Sequence, residues 1–460
     1  MRSYISAAAA RPLLLKINYN VACEKCALSG FLLAFILFQS SAVLAAYEKS
    51  AQAVEVTQTQ HLTVEEAITL AFVRSPTLAQ AFAQIKKGEA RKDEATSAYY
   101  PQLSLSSNYG LHHEYAYGPK LKQLIYDFGK TSGAIDNQTY LTESYRAGLM
   151  KTITEVTGNT LLAYSNVKRY EEIIAVTQRM IASLENVKST AELRLTAGLS
   201  SSADALQAST RIASYRTTLE QYRSQLQNAR VSLAQLTGKY AETLSELPPA
   251  LEPDLSHNNG QVDYSSVPAV SSAVSQVKAG EAILSSTKAQ HLPSISLDAG
   301  YLRQYNRNFT NANNGWDTEV GVSVDVPLYS GGAISARVSQ AYEDLETSKA
   351  NVNQAMIDAD QRSATALSNW RGAEARMQSS RYQTDIALRT RDIYQEEYKL
   401  GERSLTDLLS VEQDVFQALS NTASAKFDRY DAVINFAVIQ NTLLSLLGVE
   451  SPAEQALPHL

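Results

Sequence analysis

Few residues of this sequence are of types and spacings that do chemistry. His112, His113 and Glu114 form the one run of metal-ligating types, but they fall at a predicted hairpin tip, where an exposed loop is the simpler reading. No nucleophile–base pattern and no glycine-rich phosphate loop is present, so no enzyme activity, cofactor or metal is expected. Two carboxylates stand out by position instead. Asp204 and Asp407 each lie three residues after a serine (Ser201, Ser404), just past a glycine (Gly198, Gly401). Ser-x-x-Asp after such a glycine marks the start of a helix beyond a turn, and a carboxylate there stabilises the helix N-terminus by about 0.3–1 kcal/mol. Thr63-x-x-Glu66 is a third signal of this kind.

These turns belong to a chain with an export leader. Arg2, Arg11, Lys16 and Lys25 precede the apolar run 31–38, and Val43-Leu44-Ala45 supplies small residues for cleavage, so residues 1–45 are predicted to be a signal peptide. Both cysteines, Cys23 and Cys26, fall within it, which leaves the mature chain without disulfides or thiolate metal sites. Cleavage leaves 37 basic side chains against 46 acidic ones, a net −9, which disfavours nucleic-acid binding. The most apolar mature segment, 432–449, is interrupted by Asn435, Gln440, Asn441 and Ser445. A membrane crossing therefore has to be made by a β-barrel.

The positioning elements are written twice. Ser75-Pro76 and Lys87-Gly88-Glu89-Ala90 correspond to Val267-Pro268 and Ala279-Gly280-Glu281-Ala282 at an offset of 192. Tyr126-Asp127-Phe128-Gly129 corresponds to Tyr329-Ser330-Gly331-Gly332 at 203, as do the two turns. Leu236-Thr237-Gly238 corresponds to Leu446-Leu447-Gly448 at 210. The first shift places eleven extra residues in the asparagine-rich stretch 306–314; the second places seven, one heptad, in the last helix. The expected organisation is a first repeat over 46–238, a proline-bearing irregular linker over 239–267 (the equatorial region), a second repeat over 268–448 and a tail over 449–460.

Each repeat reads helix, strand, strand, very long helix, turn, helix. Leu103, Leu105 and Tyr109 alternate with Ser104, Ser106 and Asn108; Val320, Val322, Val324 and Val326 alternate with Glu319, Gly321, Ser323 and Asp325. Alternation suits any half-buried sheet. Aromatic residues at the strand ends (Tyr99, Tyr100, Tyr115, Tyr117, Tyr126, Trp316, Tyr329) and the leader favour a membrane barrel. The strand near 121–126 is weak, because Gln123 interrupts its apolar face. No proline occurs between Gly129 and Gly198 or between Gly332 and Gly401, so each stretch makes a helix of roughly 100 Å. Steps of 4 and 3 run from Leu149 through Ile153, Val156, Thr160, Val167, Thr177 and Leu184 to Leu195, a heptad seam. The return helices, near 63–98 and 204–238, are half as long, so two end to end match one long helix.

This arrangement resembles the TolC family of outer-membrane efflux and type I secretion channels over nearly the whole mature chain. Tyr126-Asp127-Phe128-Gly129, Pro327-Leu328-Tyr329-Ser330-Gly331-Gly332 and the segment from Tyr398 through Gly401, Arg403 and Asp407 to Leu409 carry the resemblance. It implies an α+β chain whose antiparallel helical hairpins build an α-barrel in a homotrimer, with four strands per protomer contributing to a twelve-stranded transmembrane β-barrel. It implies a location in the outer membrane reaching into the periplasm, contact with outer-membrane lipid, and a periplasmic adaptor and inner-membrane transporter as partners. It further implies that Asp407 lines a pore constriction at the tip turns of Gly198 and Gly401. Arg403, Asp204 and Tyr398 hold the matching positions for links between the turns. Ser410 replaces a second acidic position, which halves the expected charge of the ring.

Two other readings compete: a periplasmic adaptor-like coiled-coil protein, which would carry one hairpin rather than two, and a non-channel adhesin or scaffold, which would not need alternating strands.

Overall fold

The computed structural model describes residues 57–109, 114–306 and 315–449. The predicted leader, the His112-His113 pair, nearly all of the stretch 306–314 and the tail beyond Val449 lie outside the described residues.

In chain order the elements are β1 (Thr57–Leu62), α1 (Val64–Arg74), α2 (Pro76–Thr96), β2 (Gln102–Tyr109), β3 (Glu114–Tyr126), α3 (Lys130–Thr196), α4 (Ser202–Thr237), β4 (Lys239–Leu244), α5 (Pro268–Ala289), β5 (Ser294–Asn306), β6 (Trp316–Asp325), α6 (Ala333–Leu400), α7 (Leu405–Ile439) and α8 (Leu443–Leu447). The fold is α+β with repeated halves. Strands β2, β3, β5 and β6 form one antiparallel sheet in that order.

Helices α3 and α6 contain 67 and 68 residues, roughly 100 Å each. Their starts follow Gly129 and Gly332, both in the left-handed region (φ 97° and 80°). Buried Asp127 ties off the first turn of α3, accepting from the Gly129 N–H at 3.3 Å and the Thr131 N–H at 2.8 Å. Near the sheet α3 packs on α2 and α5; towards the turns it packs on α4 and α7. The seam is therefore only part of what α3 buries. Leu161, Tyr164, Ile173, Val176, Met180 and Val187 form a second face, because the helix is flanked on both sides. The buried threonines of α3 cost little. Thr154, Thr157, Thr160 and Thr177 each donate to the carbonyl four residues earlier, at 2.8–2.9 Å.

Four features differ from expectation. The helix expected over 63–98 is two helices: Ser75, with ψ 114°, ends α1 and caps α2, because a residue before proline is pushed out of helical geometry. The stretch read as irregular contains β4, which pairs in parallel with β1. Fully buried Tyr164 anchors that pair to α3, its hydroxyl lying 3.1 Å from the Leu62 carbonyl and 2.8 Å from the Ser245 carbonyl. Burial pushes this hydroxyl up to about 12, so it stays protonated. The seven extra residues do not lengthen the last helix. Helices α4 and α7 have 36 and 35 residues, and the surplus forms a turn through Asn441 (φ 55°) into α8. Finally, β3 runs through Pro119 and Gln123 for 13 residues. Pro119 lacks an N–H, and the β3–β5 register has a gap between Tyr117↔Arg303 and Lys120↔Gly300. The Gln123 amide is absorbed by the Tyr99 and Leu124 carbonyls at 2.6 and 2.9 Å.

The sheet is exposed on its apolar face. By register Leu103, Leu121, Ala299 and Val320 share that face, and Leu105, Val320, Val322 and Val324 are each at least 60 % exposed. At the end away from the helices Tyr301 stacks on Trp316 at 4.8 Å and Tyr117 meets the same indole edge-on at 5.9 Å. At the helix end Tyr126 packs on Phe128 at 4.6 Å beside exposed Tyr329 and Leu328. From Tyr117 to Tyr126 along β3 is roughly 30 Å, the spacing of two aromatic girdles around a tilted transmembrane strand. Among the described residues no helix is long and apolar enough to cross a membrane.

Candidate functional site

The sheet and the turns lie at opposite ends of the long helices, so the turns form a separate site. Gly198 (φ 74°) and Gly401 (φ 88°) take the left-handed conformation that reverses each hairpin. Ser201 then caps α4 through the Ala203 N–H at 3.1 Å, and Ser404 caps α7 through the Asp407 N–H at 3.2 Å. Asp204 and Asp407 are thus the third residues of their helices. Asp407 is exposed, and no described side chain pairs with its carboxylate.

The structure separates the other expected links. Arg403 does not tie its turn to Asp204. Its Nε donates to Glu397 Oε2 at 2.7 Å and its guanidinium lies 4.4 Å over the Tyr394 ring, so the side chain folds back onto its own helix α6. Tyr398 is 2 % exposed, and its hydroxyl has no hydrogen-bond partner among the described residues. Burial raises that hydroxyl above its ordinary range, the nearby Asp204 charge adds to the effect, and Arg194 opposes it. Asp204 and Tyr398 are therefore neighbours without a bond.

Arg194, the residue that joins the turns, was not anticipated. From the end of α3 it donates through Nη1 to the Tyr398 and Lys399 carbonyls at 2.6 and 2.9 Å, and through Nη2 to the Leu199 carbonyl at 3.4 Å. Its guanidinium lies 5.1 Å over the Tyr398 ring. A longer contact, Gln207 Nε2 to Thr406 Oγ1 at 3.4 Å, joins α4 to α7. One turn of helix deeper, Glu412 of α7 is 1 % exposed and accepts on Oε1 from Ser183 of α3 (2.7 Å) and Gln395 of α6 (2.9 Å). Its signal was available: it interrupts the apolar series Leu405, Leu408, Leu409, Val415, Phe416. Around the first turn Leu193, Leu199 and Leu206 are each more than 60 % exposed, as is Leu400 in the second. Among the described residues no cluster of metal-ligating side chains occurs.

Known proteins share this architecture. The family model described as "Outer membrane efflux protein" matches residues 67–239 and 265–442. The outer membrane efflux protein BepC of Brucella suis is 23 % identical over 396 residues, 83 % of this chain and 85 % of BepC. The outer membrane protein TolC of Escherichia coli is 23 % identical over 413 residues, 79 % of this chain and 80 % of TolC. The crystal structure of the outer membrane protein VceC of Vibrio cholerae superposes with a TM-score of 0.69 at 16 % identity, covering 82 % of this chain and 96 % of VceC.

Proposed function

The chain belongs to the outer membrane efflux protein family, and we propose from that premise that three copies assemble into one exit duct whose narrow end is formed by the interhelical turns. Relatives of this family are outer-membrane efflux or secretion channels, and this protein is an outer-membrane channel extending into the periplasm.

The observation that carries the trimer is the four-stranded sheet, open at both edges with its apolar face uncovered. Four strands do not close a barrel, for which about eight is the smallest number. Because the strands alternate, β6 of one copy runs antiparallel to β2 of the next, so copies join edge to edge without a change of pattern. Three copies give twelve strands. Sedimentation equilibrium in density-matched detergent is expected to return three chains per particle; a conducting monomer or dimer would overturn the assembly.

The exposed leucines of the turns fit a periplasmic adaptor that links the duct to an inner-membrane transporter. At the axis three Asp407 carboxylates repel one another and attract cations. Asp407→Ala is expected to lower cation preference, read as the reversal potential across a salt gradient in planar bilayers. An unchanged reversal potential with the trimer intact would leave Asp407 as a helix cap alone.

A further inference from the structure

We propose that Arg194 is the latch between the two turns: a cation of the first repeat that grips the carbonyl end of the second repeat's long helix. The inference rests on the reading of the turns as the narrow end of the duct.

The last four carbonyls of any helix lack partners within it. At the end of α6 the Gly401 N–H serves Tyr398 O at 3.1 Å and the Glu402 N–H serves Glu397 O at 2.9 Å. Among the described residues no backbone donor reaches the Lys399 carbonyl. Arg194 fills that place from the opposite hairpin, spans to the Tyr398 carbonyl with the same nitrogen, and holds its own turn through Leu199 O. A cation at a helix C-terminus is also favoured by the helix dipole. The site is shaped for it. A Cβ at Gly401 would stand 3.3 Å from Arg194 Nη2, so glycine leaves the guanidinium its room, and the Tyr398 ring forms the floor. The planar fork of arginine suits several carbonyls at once, which a lysine ammonium does less well.

The repeat explains why the link runs one way. At the offset of 203, Arg194 corresponds to Glu397. One repeat supplies a cation that crosses to the other hairpin; the second supplies an anion that retains Arg403 on its own helix. Among the described residues the other hydrogen bond that joins the turns themselves is the long Gln207–Thr406 contact, beside the apolar packing of Ala191, Ala208, Tyr398 and Leu405.

The test is single-channel recording of the full protein in planar bilayers, with trimer content checked by sedimentation. Arg194→Ala is expected to raise open probability about tenfold, the effect of a modest loss of bias towards one of two states. Arg194→Lys should recover part of the closure. In the Arg194→Ala background, cysteines at Gln207 and Thr406 bridged by a short bis-methanethiosulfonate cross-linker should restore closure and lose it on reduction. The native cysteines, Cys23 and Cys26, lie upstream of the predicted cleavage site and do not interfere. An Arg194→Ala channel as quiet as wild type overturns the latch, as does a leak that the cross-link leaves unchanged. If Arg194→Ala fails to assemble, the Lys variant decides, and wild-type gating there overturns the proposal. If no variant conducts, the wild type included, the duct reading itself fails.

Discussion

Gly118→Ala is expected to leave the helices folded while preventing the sheet from entering a bilayer. Gly118 lies in β3, an inner strand, and a Cβ there would fall inside contact distance of the Tyr301 carbonyl oxygen and 3.0 Å from Leu302 Cα. Both atoms are backbone of β5, so no side chain can swing away. Relief requires β3 and β5 to part where Pro119 already removes a hydrogen-bond donor from the ladder. The cost belongs at or above the upper end of the roughly 1–3 kcal/mol usual for overpacking, and each copy of the proposed trimer would bear it. Gly321 provides the control within the same sheet. Nothing lies within 4 Å of a Cβ built there, so Gly321→Ala is expected to be nearly silent. Heat-modifiable migration of outer-membrane trimers distinguishes them. A Gly118→Ala trimer that migrates and survives heating like wild type would show that the β3–β5 approach is not needed.

The second large effect is expected at Arg169, where the two repeats are joined midway along the helices. From α3 its guanidinium meets Asp428 Oδ1 at 3.0 Å and Asp431 Oδ2 at 2.7 Å on α7, while Ser165 donates to Asp431 Oδ1 at 2.7 Å. Arg376 of α6 reaches Asp428 Oδ2 at 3.1 Å, so three long elements meet through two guanidiniums and two carboxylates. Arg169→Met retains the apolar stem but leaves both carboxylates without their shared cation. Breaking a buried pair costs about 3–5 kcal/mol. Because the Arg169, Asp431 and Asp428 side chains keep 21 %, 32 % and 36 % of their surface exposed, the loss falls between that figure and the roughly 0–1 kcal/mol of an exposed pair, about 1–3 kcal/mol at neutral pH.

The effect has a pH signature. Burial raises the Asp431 carboxyl above its ordinary range; Ser165 and Arg169 pull it down and Asp428 pushes it up. A group so raised holds its proton more tightly folded than unfolded. Its contribution to stability therefore falls as pH rises, between the ordinary carboxylate value and the raised one. Loss of Arg169 raises the folded value further and extends that window upward. The deficit of Arg169→Met should accordingly shrink as pH falls, and Asp431→Asn should recover part of it at neutral pH. Thermal unfolding in detergent across the acid-to-neutral range measures this. A deficit independent of pH would mean that Arg169 acts through packing alone.

Much of this architecture was legible in residue order because it depends on local geometry. Alternation in 102–109 and 316–325 specifies strands with one apolar face, since side chains on a strand alternate sides. The absence of proline over 130–196 and 333–400 permits helices of unbroken length, and Ser-x-x-Asp after glycine fixes where each return helix begins. The duplicated order of these signals was enough to indicate the family. Tertiary structure decided what depends on partners distant in sequence. Residues Thr57–Leu62 and Lys239–Leu244 carry only weak strand patterns and become strands by pairing with each other across nearly 180 residues. The second buried face of α3 exists because neighbours cover both of its sides. The choice between Arg403 and Arg194 as the link between turns was likewise invisible in the order of residues. Each is a long, flexible cation near a glycine, with several acceptors within reach of its stem. Which acceptor it takes is set by the three-dimensional placement of the other hairpin. Arg403 meets Glu397 on its own helix, whereas Arg194 faces the open carbonyl end of the helix beside it.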